Sequence, residues 1–369
     1  MSSLKISHID IFRLSIPMRP FTIATGTMHF AQNTFIRVHT DSGWYGVGEC
    51  SAFPMIVGET QDTCQVMAAD FAKLWKGKDA LDIPSRLREL DAFTAGNNTI
   101  KSAFDMALYD IAAKAAGQPL YRFLGGTALK PLLTDLTIGI GTPGDMAEQA
   151  RDFVRRGVTI IKIKLGKDPE TDMERVRHIR EVVGPEIRLR IDANQGWSPE
   201  EALQALMGMG PYHIQFCEQP MRSYNDHFLP GLKQLSPIPV MADESVFHHQ
   251  DAARLIRADA CDSVNIKLSK SGGIQEALLI NQVCSAAGIP CMMGGMLESR
   301  LALSAFAHLA TALDNIIYYD MDTCLLGHLE DPVTGGVTYD GFYVVLPDAP
   351  GIGADISEAF LQQCDRVTV

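Results

Sequence analysis

The chain has 369 residues, of which 46% are hydrophobic and 21% charged, and its formal net charge is -12 at pH 7. This length suffices for one large α/β barrel and a smaller domain, and the acidic balance argues against a nucleic-acid partner or a membrane partner bound by a basic patch. The sequence has no apolar run of spanning length and no signal-peptide core, and its eight cysteines form no C-x-x-C pair, so we expect a cytoplasmic protein with reduced cysteines.

The first third of the chain mixes strand and helix patterns. Apolar residues alternate along 4–16 and 34–40, and a turn signal at 41–43 leads into a third strand. Helical periodicity covers 61–75 and 99–116. We therefore predict an α+β capping domain over residues 1–126.

Two segments of this region lack periodicity and carry apolar side chains at loop tips. They span residues 21–28 and 49–60. Apolar loop tips are more often recognition surfaces than core, so both are candidate lids. The candidate lining residues are Phe21, Thr25, Gly26, Phe53 and Ile56.

From residue 127 the chain alternates between short apolar strands and helices. The predicted strands lie near 134–140, 159–165, 188–192, 214–218, 239–243, 263–267, 290–294 and 316–321, with seven helices between them. This pattern predicts a modified TIM-type (β/α)7β barrel over residues 127–334. The turn-rich stretch 335–353 reads as a hairpin, within a segment 335–369 that returns to the capping domain.

Three carboxylates follow successive barrel strands at nearly equal spacing. Asp192, Glu218 and Asp243 each end a strand, so they meet at the face of the barrel where active sites lie. Three neighbouring carboxylates repel one another unless a cation neutralises them, and an all-oxygen ligand set favours Mg²⁺ first and Mn²⁺ second. The alternative is that each carboxylate caps a helix separately.

Three lysines accompany these carboxylates. Lys162 and Lys164 lie at i and i+2 of one strand, so both point into the barrel mouth, and Lys267 approaches from the opposite side. Proximity and burial are expected to lower the pKa of Lys162 and of Lys164 towards that of a general base. Bases on two faces of one carbon allow 1,1-proton transfer with inversion. The alternative for the Lys162 and Lys164 pair is a solvated strand edge.

The motifs around these residues resemble those of the enolase superfamily, in its muconate-lactonizing branch. They are Ile160–Leu165, Asp192-Ala193-Asn194, Glu218-Gln219-Pro220, Ala242-Asp243-Glu244-Ser245, Asn265-Ile266-Lys267, and the helix end 107–126. The resemblance implies a Mg²⁺-assisted mechanism in which a proton leaves the carbon next to a carboxylate and an ene-diolate forms. It also implies that Asp192, Glu218 and Asp243 bind the metal, that Lys164 and Lys267 are the two bases, and that Lys162 assists Lys164.

Further residues indicate which class of substrate the site would accept. Asp320 and Asp322 end the eighth strand and point one way, where they could grip an ammonium group. Similar D-x-D strand ends mark the dipeptide epimerases of this branch. The Ala-Glu epimerases carry a lid arginine where this chain has Gly26, so an acidic substrate side chain would lack its partner. Leu297 and Glu298 also lie at the mouth, and Glu298 either touches substrate or stabilises a helix N-terminus.

The resemblance therefore favours a dipeptide epimerase that inverts the C-terminal residue of an L,L-dipeptide with an apolar side chain. N-succinyl or N-acyl amino-acid racemase and o-succinylbenzoate synthase are the nearest alternatives, and muconate cycloisomerase follows. Their substrates lack the free ammonium that Asp320 and Asp322 would bind. A catalytically silent barrel that only binds ligands would be expected to lack a ligand or a base. We expect a small-molecule dipeptide partner and a homo-oligomer.

Overall fold

The computed structural model describes residues 4–369, and its first part is an antiparallel sheet covered by helices. The elements are β1 (Ile6–Ile23), β2 (Gly26–Thr40), β3 (Tyr45–Ser51), α1 (Pro54–Val57), α2 (Gln61–Trp75), α3 (Ile83–Phe93), α4 (Asn98–Ala115) and α5 (Leu120–Phe123). The predicted helices over 61–75 and 99–116 are confirmed as α2 and α4. The alternating apolar residues of β1, such as Ile9 and Ile11, are fully buried.

The first candidate lid is a β-hairpin, so the prediction of an irregular loop over 21–28 was wrong. β1 and β2 continue well beyond the predicted strands, and Phe21 pairs with Met28 and Ile23 with Gly26 across a tight turn. A register shift lies between Pro17 and Phe21. Proline at 17 and 20 removes backbone donors from this stretch and interrupts the ladder, which hides the strand pattern in the sequence.

The second part of the chain is a barrel of eight parallel strands. Its elements are β4 (Leu132–Leu133), β5 (Leu136–Ile138), α6 (Pro143–Arg155), β6 (Ile160–Lys164), α7 (Pro169–Val183), β7 (Arg188–Asp192), α8 (Pro199–Met209), β8 (Ile214–Glu218), α9 (Leu229–Leu235), β9 (Val240–Ala242), α10 (His249–Arg257), β10 (Ser263–Ile266), α11 (Leu268–Ser271), α12 (Ile274–Ala286), β11 (Cys291–Gly294), α13 (Arg300–Ala312), β12 (Ile316–Asp320) and α14 (Thr323–Leu326). Strands β5 to β12 lie side by side in chain order. The (β/α)7β barrel is therefore confirmed.

The strand register places the charged residues in one layer. Lys164 pairs with Asp192, and Asp192 pairs with Glu218. Paired residues of neighbouring parallel strands point to the same side of the sheet, so these three side chains share the inner face. Apolar residues between them, such as Ile163 and Ile191, are fully buried.

The C-terminal segment packs against both parts of the chain. Its elements are β13 (Val333–Gly335), β14 (Thr338–Asp340), β15 (Tyr343–Val345), β16 (Ala354–Ile356), α15 (Glu358–Leu361) and β17 (Arg366–Thr368). Strands β14 and β15 form the predicted hairpin, and β17 pairs with β1 of the N-terminal sheet. Among residues 4–369, no helix is long and apolar enough to cross a membrane.

Two buried carboxylates of the N-terminal part cap barrel helices. Glu49 accepts hydrogen bonds from the backbone N–H groups of Ser299 and Ala302 at the start of α13. Asp105 accepts hydrogen bonds from the N–H groups of Ile274 and Gln275 at the start of α12. A carboxylate at a helix N-terminus is stabilising because it accepts unpaired N–H groups and faces the positive end of the dipole. These caps join the capping domain to the barrel mouth.

Candidate active site

Lysines and carboxylates alternate in space at the carboxyl ends of the barrel strands. Lys164 Nζ lies 2.6 Å from Asp192 Oδ2. Lys162 Nζ lies 2.6 Å from Glu218 Oε2, 2.7 Å from Asp320 Oδ2 and 3.3 Å from Asp192 Oδ2. The residues that make these contacts come from four barrel strands, and all of their side chains are buried.

Lys267 approaches the same cluster from the other side. It follows β10, and its Nζ lies 2.9 Å from Asp243 Oδ2 and 3.9 Å from Glu218 Oε1. Glu218 therefore lies between Lys162 and Lys267. The structure thus brings together the three lysines and the three carboxylates that the sequence singles out.

The pKa of Lys162 does not follow the sequence-based expectation. Burial lowers the pKa of Lys162, but the carboxylates of Asp320, Glu218 and Asp192 outweigh this effect, so its pKa lies well above the ordinary value. Burial likewise lowers the pKa of Lys267, and the carboxylates of Asp243 and Glu218 raise it further than burial lowers it. The prediction of a lowered pKa was therefore wrong for Lys162, because carboxylates are its nearest charged neighbours.

The carboxylates that follow the barrel strands differ in the direction of their pKa shifts. Burial and the neighbouring Asp192 raise the pKa of Glu218 to about 7. For Asp192, burial raises the pKa, but the ammonium groups of Lys164 and Lys162 hold it below its usual value. For Asp243 too, burial raises the pKa, but the ammonium groups of Lys267 and Lys270 hold it below its usual value. Of these three carboxylates, Glu218 is thus the one whose charge is least compensated by the protein, as expected at the centre of a carboxylate cluster.

The chemistry of this cluster suits a hard divalent cation. Asp192, Glu218 and Asp243 are fully buried, and all of their ligand atoms are oxygens. Glu218 Oε2 and Asp243 Oδ2 accept no hydrogen bond in the described part of the chain, although each lies within ion-pair distance of a lysine. Their other oxygens are held, as Glu218 Oε1 is by Asn265 Nδ2 at 2.8 Å. Each thus has one oxygen that faces a lysine of the cluster, and Mg²⁺ with carboxylate ligands fits these residues.

A second group of carboxylates lies beside the first. Asp135, Asp320 and Asp322 each offer an oxygen atom within 4.8 Å of the others. Arg190 pairs with Asp135 at 2.8 Å, and Asp322 accepts a hydrogen bond from the N–H of Thr137 at 2.7 Å. Burial and the charges of Asp320 and Asp135 raise the pKa of Asp322 well above its usual value. Asp322 therefore lies where burial and neighbouring carboxylates disfavour its charged form.

The lid hairpin extends over the first strands of the barrel. The Phe21 ring lies against Gly139, where an added Cβ would be 3.3 Å from Phe21 Cδ2. Lys167 Nζ donates a hydrogen bond to the carbonyl of Ala24 at 2.6 Å, near the turn that contains Thr25. Phe21 therefore lies near the Asp322 side of the mouth, and the hairpin tip lies over the loop that follows β6.

The tip of the hairpin contacts the second candidate lid. A Cβ added at Gly26 would lie 2.8 Å from Met55 Sδ, in helix α1. Thr25 and Met55 line a cavity of about 660 Å³ together with Gly166, Gln195 and Trp197. This places Gly26 and Thr25 beside the loops that follow β6 and β7.

The remaining candidates are two residues of the second lid segment and two of the segment after β11. Phe53 is the buried N-cap residue of α1, which also contains the partly buried Ile56. The backbone carbonyl of Leu297 accepts a hydrogen bond from Asn33. Glu298 is fully buried and accepts hydrogen bonds from Ser269 Oγ and the N–H of Met296, and burial raises its pKa to about 7. No contact joins Glu298 to the three lysines.

Sequence reasoning missed several residues of the site. Lys270 pairs with Asp243 Oδ1 at 2.6 Å, and Asp135 joins the second carboxylate group. Lys270 follows Lys267 by three residues, a helical spacing that would have placed both on one side. Asp135 directly precedes β5 and lies two residues before Thr137, so the period of two of an extended strand places both residues on one side.

Two family models match the chain. The model for the N-terminal domain of mandelate racemase/muconate lactonizing enzyme matches residues 7–125, and the enolase C-terminal domain-like model matches residues 145–360. Together they span the lid hairpin, barrel strands β6 to β12 and the lysines and carboxylates described above except Asp135.

Relatives match over nearly the whole chain. A D-Ala-D/L-Ala epimerase of Cytophaga hutchinsonii is 44% identical over 366 residues, or 99% of each protein. An L-Ala-D/L-Glu epimerase of Clostridium acetobutylicum is 40% identical over 95% of this chain and 98% of the relative. The crystal structure of a Cytophaga hutchinsonii dipeptide epimerase with Mg and D-Ala-L-Val superposes with a TM-score of 0.97, at 44% identity, and covers 99% of this chain and 100% of that one. The chain therefore belongs to the mandelate racemase/muconate lactonizing enzyme family of the enolase superfamily.

Proposed function

We propose that this protein is a Mg²⁺-dependent dipeptide epimerase that inverts the α-carbon of the C-terminal residue. The observation that carries the proposal is the pair of lysines on opposite sides of one carboxylate cluster. Lys164 contacts Asp192, and Lys267 contacts Asp243, with Glu218 between these two metal-ligand candidates. The similarity to named dipeptide epimerases supports the same reaction.

The reaction requires one proton to leave and another to arrive on the opposite face. One lysine takes the α-proton, and the electron pair of the broken C–H bond spreads into the adjacent substrate carboxylate. The other lysine donates its proton to the same carbon and forms a new C–H bond with inverted configuration. Lys164 and Lys267 are the two bases, and Lys162 bridges Asp192, Glu218 and Asp320 to hold the cluster together.

Asp192, Glu218 and Asp243 would hold the metal. Mg²⁺, when bound, supplies the positive charge that stabilises the substrate carboxylate as negative charge builds up on it. Asn265 holds one oxygen of Glu218, and the N–H of Asn194 holds Asp192 Oδ1 at 2.8 Å. These hydrogen bonds fix the orientation of the carboxylates before the metal arrives.

Asp320 and Asp322 would bind the free ammonium group of the dipeptide. In the described part of the chain, the three neighbouring carboxylates of this region form ion pairs with Lys162 and Arg190, and a substrate ammonium group would add a further positive charge beside them. N-succinyl amino acids, o-succinylbenzoate precursors and muconate carry a neutral or acidic group at this end. Placing such a group next to Asp322 would be repulsive or would leave a buried carboxylate unpaired.

Asp322→Asn is expected to weaken the use of free dipeptides by about tenfold or more, because a charge-assisted hydrogen bond becomes a neutral one. N-acetylated dipeptides should lose much less, since they offer no ammonium group. The measurement is kcat/KM for Ala-Val and N-acetyl-Ala-Val, compared between variant and wild type. An equal loss for both substrates would assign Asp322 to another role. The asparagine keeps the acceptor for the N–H of Thr137, so the strand end is preserved.

The pocket for the inverted residue is expected to favour apolar side chains. Gly26 and Met55 meet at the hairpin tip and neither carries a charge, whereas Arg222 lines the cavity that Thr25 and Met55 share. Each buried methylene contributes about 0.8 kcal/mol, whereas a desolvated and unpaired carboxylate costs several kcal/mol. The Mg-bound relative crystallised with D-Ala-L-Val, which has an apolar second residue, and this supports the same preference.

A dipeptide library in D₂O with Mg²⁺ tests the proposed function and this preference together. Deuterium should enter the α-position of the second residue, with Ala-Val and Ala-Leu processed faster than Ala-Glu. Both L-Ala and D-Ala should be offered as the first residue, because the relatives are named for both. Exchange with no dipeptide would refute the proposed function, and a clear preference for Ala-Glu would refute the apolar pocket.

Gly26→Arg should shift the preference towards Ala-Glu. Gly26 lies outside the positive-φ glycines, so an arginine strains no left-handed backbone there. The one close contact is the flexible end of Met55, and Gly26→Ala is the matched control for crowding alone. Loss of all activity in Gly26→Arg but not in Gly26→Ala would mean that the side chain blocks the site.

A further inference from the structure

Lys270 is a fully buried lysine that the proposed proton transfer does not use. It lies on α11, the short helix that starts directly after Lys267. Its Nζ donates hydrogen bonds to Asp243 Oδ1 at 2.6 Å, to the carbonyl of Asp243 and to the carbonyl of Asn265 at 3.1 Å. A buried ammonium group requires such a complete set of partners, and here they all belong to the ends of β9 and β10.

We propose that Lys270 is a positioning residue that fixes Asp243 for its two tasks, metal binding and contact with Lys267. By holding Oδ1, Lys270 leaves Oδ2 facing the cluster, where it lies 2.9 Å from Lys267 Nζ and accepts no hydrogen bond. The inference rests on the proposed function, because it assigns a consequence to each of these two tasks.

Contacts other than that of the Lys270 side chain also hold α11, because Ser269 Oγ accepts a hydrogen bond from the N–H of Ser51 and the carbonyl of Lys270 accepts one from Asn98 Nδ2. Lys267 begins this helix, and Gly272 and Gly273 follow it. The next helix, α12, starts against Asp105, which accepts the N–H groups of Ile274 and Gln275. The segment is therefore anchored on both sides, so a change at Lys270 acts mainly on Asp243.

Without Lys270, Lys267 would be the only ammonium group among residues 4–369 within ion-pair distance of Asp243. The carboxylate could then turn both oxygens towards Lys267, which would take away the oxygen that faces the cluster and immobilise one of the two bases. Lys164 is paired with Asp192 and has no contact with Lys270. Proton exchange should therefore be lost at the face of the substrate that Lys267 reaches, and should be retained at the face that Lys164 reaches.

The test is Lys270→Met, which keeps most of the length of the side chain and removes its charge. Mn²⁺ binding without substrate, followed by electron paramagnetic resonance, should weaken at least tenfold. In D₂O, exchange of the diastereomer that depends on Lys267 should fall at least tenfold relative to the one that depends on Lys164. Lys101→Met is the matched control, because Lys101 is a buried lysine of α4 that pairs with Asp91 at 2.9 Å, far from the cluster in sequence.

Whether Mn²⁺ binds more weakly or more tightly to Lys270→Met distinguishes a positioning role of Lys270 from a role as a counter-charge only. If Lys270 acted only as a counter-charge, its removal would leave the site more negative and Mn²⁺ would bind more tightly. Unchanged or tighter Mn²⁺ binding would overturn the proposal, as would an equal loss of exchange for both diastereomers. If Lys270→Met does not fold, Lys270→Gln retains an amide donor and should show the same effects to a smaller degree. A wild type that exchanges no dipeptide would refute the proposed function, and the Mn²⁺ titration would still test Lys270.

Discussion

Replacing Lys267 with alanine is expected to stop epimerisation completely while leaving α-proton exchange of one diastereomer intact. Lys164 remains paired with Asp192 in this variant, so it can still remove a proton from the face that it reaches and return a deuteron to that face. Inversion needs a donor on the opposite face, and the removal of Lys267 takes that donor away. The measurement is deuterium incorporation into each pure diastereomer in D₂O with Mg²⁺, together with the diastereomer ratio over time.

The complementary variant supplies the control. Lys164→Ala should exchange the other diastereomer and should also fail to epimerise. The two variants therefore differ in the stereochemistry of exchange while sharing the loss of turnover, a pattern that general damage to the site cannot produce. If either single variant exchanged both diastereomers at equal rates, catalysis by two bases would be refuted.

The barrel and the positions of its charges could be predicted because they depend on local patterns. Short apolar strands recur at a regular interval, and the residue at the end of each strand projects into the mouth in any parallel barrel. The pairing of Lys164 with Asp192 and of Asp192 with Glu218 follows from that rule alone. Asp320 could be placed near Lys162 for the same reason, since both residues lie at inward positions.

Contacts between distant segments could not be predicted in this way. The hairpin of the lid was missed because Pro17 and Pro20 break the strand pattern where the ladder shifts register. The pKa of Lys162 was predicted in the wrong direction because sequence spacing shows its proximity to Lys164 but not the contacts with Glu218 and Asp320. The helical spacing of Lys270 to Lys267 indicates that both lysines lie on one side of α11. The burial of Lys270 against Asp243 depends, however, on how α11 packs under the capping domain.

Glu218→Gln is expected to leave the fold intact and to lower turnover by at least about 10²–10³-fold, the range for losing one preorganised charge contact at a developing anion. The glutamine oxygen can still accept from Asn265 Nδ2, which holds Glu218 Oε1 at 2.8 Å, so the amide fits the same space. It removes the carboxylate that lies between Lys162 and Lys267. Metal affinity should fall with turnover, as measured by Mn²⁺ titration and by kcat/KM for Ala-Val.

Asp192→Asn and Asp243→Asn should behave alike, because all three carboxylates contribute charge to one cation. Chelation of the wild type should abolish activity, and added Mg²⁺ should restore it. Glu59→Gln is the matched control, since Glu59 is a buried carboxylate of the capping domain that accepts the N–H of Thr99 at 2.9 Å. That variant should change stability without changing metal affinity. Full activity in chelator-treated, metal-free wild type would contradict the role of the carboxylates, because the substrate carboxylate would then carry its growing negative charge with only lysines nearby.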